Sequence, residues 1–272
     1  FADISDEDFC ISASEIEKKI TSKTKAIIPV DLYGQIYDYD AVSAIAKKHN
    51  LKIVEDACQA VGAEKNRKKA GAFGDIAAFS LYATKNIMSA EGGLITTDNE
   101  EYAEKCKMLR HHGQSEKVRY EYLDLGYNYR TTDILAAIAL EQLKKIDRIT
   151  DARIANAKAL TEGLSGISGL ILPQIKEGYK HVFHQFTIRI TPEFRGSRDD
   201  LLNYLKDNEI GAGIYYPKPL HLHQHFAKLG YKEGNYPVSE RISKEVISLP
   251  AHPLLKKEEL EYIIKKIQEY AK

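Results

Sequence analysis

Two short β-prone runs, "TKAIIPV" (24–30) and "LKIVEDA" (51–57), flank "YDAVSAIAKKHN", whose apolar residues Val42, Ile45 and Ala46 recur at helical spacing. Strand, helix and strand in that order form a β-α-β unit. The strands of such a unit run parallel through a right-handed crossover, and ligands bind beyond their carboxyl ends. Asp56 stands at such an end.

Two further strands follow, "DIAAFSLY" (75–82) and "GLITTD" (93–98), joined by a loop that carries Lys85 and closes on Gly92 and Gly93. Before them, "GAEKNRKKAGAFGD" is polar and glycine-bounded, so Lys65, Arg67, Lys68 and Lys69 read as a solvated hairpin tip. From Asp133 the stretch "DILAAIALEQLKKIDRITDARIANAKAL" predicts one long helix with Leu143, Ile146 and Ile149 on one face, able to bridge two domains. A second α/β pattern comes after it. It comprises a strand over "VFHQFTIRI" (182–190), a helix near 198–208, and a closing helix from about Glu258 to Tyr270 with Leu260, Ile263, Ile264 and Ile267 aligned. With 272 residues, the chain exceeds the roughly 100–200 of one domain. The expected division is a mainly parallel-sheet large domain over 1–150 and a smaller α/β domain over 151–272.

The 39 basic side chains balance 39 acidic ones. Nucleic acid and anionic membranes usually recruit a net positive surface, so small, locally recognised ligands fit better. No apolar run approaches the roughly 20 residues of a membrane span. Cys10, Cys58 and Cys106 form no CxxC pair and read as reduced thiols of a cytosolic protein. The sequence opens at "FADISDEDFC", without methionine and with an apparent strand end in progress, so an N-terminal segment is expected to precede it.

Lys85 is the residue that chemistry singles out. An isolated lysine in a turn is usually solvated, but Asp56 ends one strand and Ser80 ends its presumed neighbour five residues before Lys85. A carboxylate, a hydroxyl and an amine facing one crevice suit pyridoxal phosphate. Lysine supplies a Schiff-base amine and a proton shuttle, aspartate holds a pyridine nitrogen protonated, and serine donates to phosphate. Gln59, at the start of the next loop, is placed to donate to the ring hydroxyl.

The ordered segments "VEDACQAVGA", "AGAFGDIAAFSLYATKN", "EGGLITTDNEE", "LRHHGQ" and "LGYNYRTTDILAAIALEQL" resemble the DegT/DnrJ/EryC1/StrS family of pyridoxal-phosphate-dependent sugar aminotransferases. "VDLYGQIYDYDAV", "YYPKPLHLH" and "LPAHPLL" extend the likeness over essentially the whole chain. The resemblance implies fold type I and carries roles over by position. Lys85 matches the Schiff-base lysine, Asp56 the pyridinium partner, Gln59 the residue on the ring hydroxyl, and Ser80 the phosphate-binding serine. Asn128 matches an asparagine that reaches a phosphate from the neighbouring subunit, which implies a homodimer with shared active sites. Arg130, Tyr215, Tyr216 and His221 match positions near the nucleotide-sugar substrate. The implied reaction moves an amino group from glutamate or glutamine to a nucleotide-linked keto-sugar, for amino-sugar or surface polysaccharide synthesis. The family commonly has histidine where this chain has Asp31, and its members carry further residues before the match to Phe1, including part of the cofactor cradle.

Alternatives stay in view. A sugar dehydratase of the same family replaces the lysine with histidine, and Lys85 argues against it. A truncated, sensory or scaffold homologue is the non-catalytic alternative. His221, His223 and His225 alternate like metal ligands on a strand, but the proline-rich turn and the lack of a nearby carboxylate or cysteine cluster favour a non-metal reading. His111 and His112 are expected at an interface or a helix cap. "YEYLDLGYNY" reads as an ordered loop at a subunit interface, and Cys58 as small packing.

Overall fold

The computed structural model describes residues 1–272. The chain begins with α1 (Ala13–Lys19), β1 (Ala26–Ile27), α2 (Tyr39–Lys48), β2 (Lys52–Asp56), β3 (Glu64–Lys65) and β4 (Lys68–Lys69). It continues through β5 (Ile76–Ser80), β6 (Gly93–Thr96), α3 (Glu100–Arg110), α4 (Asp133–Leu143), α5 (Ile146–Leu164), β7 (Leu170–Ile171) and β8 (Tyr179–Lys180). It closes with β9 (Phe186–Ile190), α6 (Arg198–Asp207), α7 (Gln224–Ala227), α8 (Pro237–Glu245), β10 (Val246–Leu249) and α9 (Lys257–Ala271).

The expected β-α-β unit is present: β1 and β2 pair in parallel with Ile27 opposite Ile53, and α2 connects them. Asp38 starts α2 by accepting from the Ala41 N–H at 3.3 Å, and Val42, Ile45 and Ala46 form its buried face. The sheet has the order β1-β2-β5-β6; β5 runs parallel to β2, and β6 returns antiparallel. A buried cluster with Tyr37, Ile53 and Phe73 among its members lies under this sheet.

A second, 19-residue cluster is built from α5, α6, α9 and the antiparallel sheet β10-β9-β7. All five residues of β9 are buried, and fully burying a side chain such as Phe186 or Ile188 stabilises the fold by about 1.5–3 kcal/mol each. Ser197 and Asp200 start α6 with a reciprocal capping box. In α9, Leu260, Ile263 and Ile267 are buried, and Ile264 packs alongside. No helix is long and apolar enough to cross a membrane.

Four expectations need correction. The single long helix is two helices, broken at Lys144–Lys145, where Lys145 opens to φ −105°, ψ 0° at the edge of the helical region. The break re-aims the chain. α4 buries nothing, whereas α5 starts with Ile146 against Gly62 and ends with Leu160 and Leu164 in the second core. The hairpin β3–β4 is not a free tip, because β3 also pairs with β8. Lys65 is consequently buried, bonded to Asp40 at 2.7 Å and set over the Tyr179 ring, while Lys68 and Lys69 stay exposed. The strand expected from Val182 starts at Phe186, since residues 182–185 are bonded elsewhere. Finally, His221 and His225 lie in two short helical turns with His223 between them, not on a strand.

Candidate active site

Register decides which side chains meet at the sheet's carboxyl end. Asp56 lies opposite Ala78 in the β2–β5 pair, so with a period of two Asp56, Ala78 and Ser80 share one face. Ser80 stands about 7 Å further along β5, at two residues of strand rise. Glu55, Ala77 and Phe79 point to the opposite, core-facing side. Beyond Ser80 the chain turns, with the Lys85 N–H donating to Tyr82 O at 2.9 Å. Ser80 Oγ accepts from the Tyr82 N–H at 3.2 Å, which starts that turn.

Cys58 reports on the convergence of Asp56 and Lys85. Its Sγ lies 3.7 Å from Ala78 O, and the Asp56 carboxylate accepts from the Cys58 N–H at 3.1 Å. Burial, and then the Asp56 carboxylate, push the thiol up to about 12 against a smaller opposing pull from Lys85. The sulfur is therefore a protonated thiol at neutral pH, in keeping with its reading as packing.

Gln59 joins two stretches distant in sequence. Its Oε1 accepts from the Tyr33 N–H at 2.8 Å and its Nε2 donates to the Tyr216 hydroxyl at 3.1 Å. Tyr33, in a left-handed conformation (φ 59°), also donates through its hydroxyl to Tyr215 O. Tyr216 thus reaches the β2 strand end from the second half of the chain and remains 55% exposed.

The remaining candidates lie differently. His221 is 3% exposed, and its Nε2 meets Glu240 Oε1 at 2.8 Å. The same carboxylate accepts from the Gly234 and Tyr236 N–H groups, so His221 is tied into the α8 entry rather than open to a ligand. Asn128 is exposed and pairs by its backbone with His111, whose own N–H caps α3. Arg130 Nη1 lies 3.0 Å from both His111 Nδ1 and His112 Nε2. No hydrogen bond joins Asn128 or Arg130 to Asp56, Ser80 or Lys85 within the chain. The loop around them leaves Tyr120, Tyr122, Leu125 and Tyr129 exposed.

The environments of two groups escaped the sequence reading. Asp31, marked in the sequence only as a departure from the family's histidine, is fully buried, and its Oδ1 accepts from the Tyr37 N–H at 3.1 Å. Burial, together with the neighbouring Glu55 carboxylate, holds the Asp31 carboxyl well above the usual range. Glu55 in turn accepts from the Gly71, Phe73 and Gly74 N–H groups at 2.6–3.0 Å. The pair braces the back of the Asp56 strand end, where the Asp31 N–H donates to Asp56 O. The second group, Asn86 with His184, lies beside Lys85. Asn86 stood next to the lysine in "YATKN", but nothing local tied it to a histidine 98 residues away.

Comparison with known proteins agrees with this fold. A sequence profile of the DegT/DnrJ/EryC1/StrS aminotransferase family matches residues 1–268. A pleiotropic regulatory protein of Geobacillus stearothermophilus is 44% identical over 99% of this chain and 72% of its own length. The dTDP-3-amino-3,4,6-trideoxy-alpha-D-glucose transaminase of Micromonospora megalomicea subsp. nigra is 36% identical over 99% of this chain and 72% of its own. The crystal structure of S. venezuelae DesV in complex with a ketimine intermediate superposes with a TM-score of 0.93 at 34% identity, covering 99% of this chain and 71% of that one. Fold and relatives together define an α/β enzyme of the pyridoxal-phosphate-dependent aminotransferase class. The chain belongs to the DegT/DnrJ/EryC1/StrS aminotransferase family.

Proposed function

We propose that the protein transfers an amino group from glutamate or glutamine to a nucleotide-linked keto-sugar, using pyridoxal phosphate held at the carboxyl end of β2 and β5. The observation that carries the reading is the β2–β5 register, which sets Asp56 and Ser80 on one face with the Lys85 turn beyond them. This donor set fits the cofactor: a carboxylate for a ring nitrogen, a hydroxyl for a phosphate and an amine for an aldehyde. Gln59 Nε2 keeps a second hydrogen beyond the one given to Tyr216, free for a ring oxygen. When bound, pyridoxal phosphate supplies the carbonyl for amine exchange and an electron sink for the carbon that loses its proton.

The chain's own residues do the rest. Asp56 would hold a proton on the cofactor's ring nitrogen. Ser80 Oγ would donate to a phosphate oxygen. Lys85 Nζ takes a proton from the substrate carbon and returns it to the neighbouring position. Tyr215 and Tyr216, exposed beside Gln59, present aromatic surface to the nucleotide-sugar, and His221 holds their segment in place through Glu240. In this reading residues 1–150 are the cofactor-binding domain and 151–272 the smaller one. Asn128 and Arg130 serve a homodimer, reaching the active site of the partner copy from their exposed loop.

The test is borohydride trapping on protein incubated with pyridoxal phosphate, followed by peptide mass mapping. Reduction fixes the label on Lys85 and bleaches a visible band, and Lys85→Ala loses both. A label elsewhere, or none, favours the non-catalytic alternative that the regulatory name of the Geobacillus relative brings to mind.

A further inference from the structure

Residues 181–185 belong to no sheet, yet they hold several parts of the site together. The Val182 N–H donates to Gly34 O at 2.9 Å, and the Gln185 N–H to Tyr33 O at 3.2 Å. Arg153 Nη1 donates to Phe183 O at 3.0 Å from α5. Asn86, adjacent to Lys85 and 7% exposed, donates through Nδ2 to Val182 O at 3.1 Å. Its Oδ1 lies 3.2 Å from His184 Nδ1.

This geometry selects one tautomer. With the Asn86 amide nitrogen given to a carbonyl, only its oxygen faces His184, so the ring Nδ1 must carry the hydrogen. His184 is 8% exposed, and the charged groups that act on it, Lys85 and Arg153, are both cations. Burial, and then those two charges, lower His184 to about 3. The imidazole is thus neutral, with its Nε2 lone pair bonded to no other side chain.

We propose that His184 is a positioning residue for Lys85: its Nδ1–H bond to Asn86 fastens the loop that presents the Lys85 amine onto the 181–185 segment. The consequence for catalysis rests on the reading of Lys85 as the amine-transfer lysine; the fastening of the loop does not.

Asparagine and glutamine separate this role from mere packing. Asparagine sets its amide nitrogen where the imidazole Nδ1 lies, and glutamine sets it where Nε2 lies. Hydrogen exchange of the 81–89 segment, followed by mass spectrometry on cofactor-free protein, reads the fastening directly. His184→Gln is expected to exchange roughly tenfold faster there, the effect of losing one buried hydrogen bond, while His184→Asn stays within about twofold of the native protein. On protein loaded with pyridoxal phosphate, the pH titration of the visible band should shift in His184→Gln and return toward the native position in His184→Asn. Equal exchange in His184→Gln and the native chain, or equal acceleration in both variants, overturns the proposal. Faster exchange with an unmoved visible titration overturns the link from loop to Lys85. A native protein that forms no visible band refutes the aminotransferase reading instead, and the exchange comparison still decides the fastening.

Discussion

Gln59 and Tyr216, 157 residues apart, are joined by a 3.1 Å hydrogen bond from the glutamine amide to the phenol. This bond ties the loop after β2 to a segment in the second half of the chain. Gln59 also accepts from the Tyr33 N–H, so one side chain couples three stretches of sequence.

A double-mutant cycle of Gln59→Ala and Tyr216→Phe isolates that contact. Tyr216 is more than half exposed, so the coupling should be small, about 0.5 kcal/mol in urea unfolding. Strict additivity of the two variants would mean that the bond contributes nothing.

Asp31→Asn tests the buried acid pair. A carboxyl whose folded pKa is raised keeps its proton while the unfolded chain releases it, so its stabilising contribution is full below about pH 4 and is lost as pH rises through the folded value. Asparagine has nearly the same shape and cannot ionise. The difference in urea midpoint between Asp31→Asn and the native protein should therefore shift in favour of the variant from pH 5 to pH 9. Parallel curves would refute a protonated Asp31.

His181 and His184 predict the opposite trend in acid. Burial lowers each to about 3, with a contribution from Lys85 and Arg153 at His184. Between that value and about 6.5 the unfolded chain binds the extra protons, so stability falls as pH drops, by roughly 1.4 kcal/mol per pH unit for each histidine. Calorimetry in buffers of different ionisation enthalpy should register about two protons taken up by this pair on unfolding near pH 5. His181→Gln should lower the uptake by about one.

Gly34→Ala challenges the junction under the site. Gly34 adopts φ +105°, and a Cβ there would stand 2.9 Å from both the His184 backbone nitrogen and Val182 Cγ2. A loss of about 2 kcal/mol or more is expected, because strain and clash add. A melting temperature within a degree of the native value would show that residues 182–184 yield freely.

The placement of Asp56 and Ser80 at neighbouring strand ends, with Lys85 in the turn beyond, was legible in the residue order, as were the parallel β-α-β unit and the apolar stripe of the closing helix. The reason is that strands and helices carry their period in the order of residues, and strand ends on a parallel sheet are where ligands bind. The family likeness, held in segments spread along the chain, added the cofactor and the reaction class. What stayed hidden depends on partners remote in sequence. Lys65 sits in a basic run and became buried only because β8 pairs with β3. His184 reads as part of a strand, but the bonds of its segment to Gly34, Tyr33 and Asn86 keep it out of one. The Asp31 carboxyl is held well above its usual range because folding sets it in a dry site beside Glu55, and no local pattern encodes that neighbour. Charge state and tautomer are properties of the packed environment, since burial and opposing charge act through space and not along the chain.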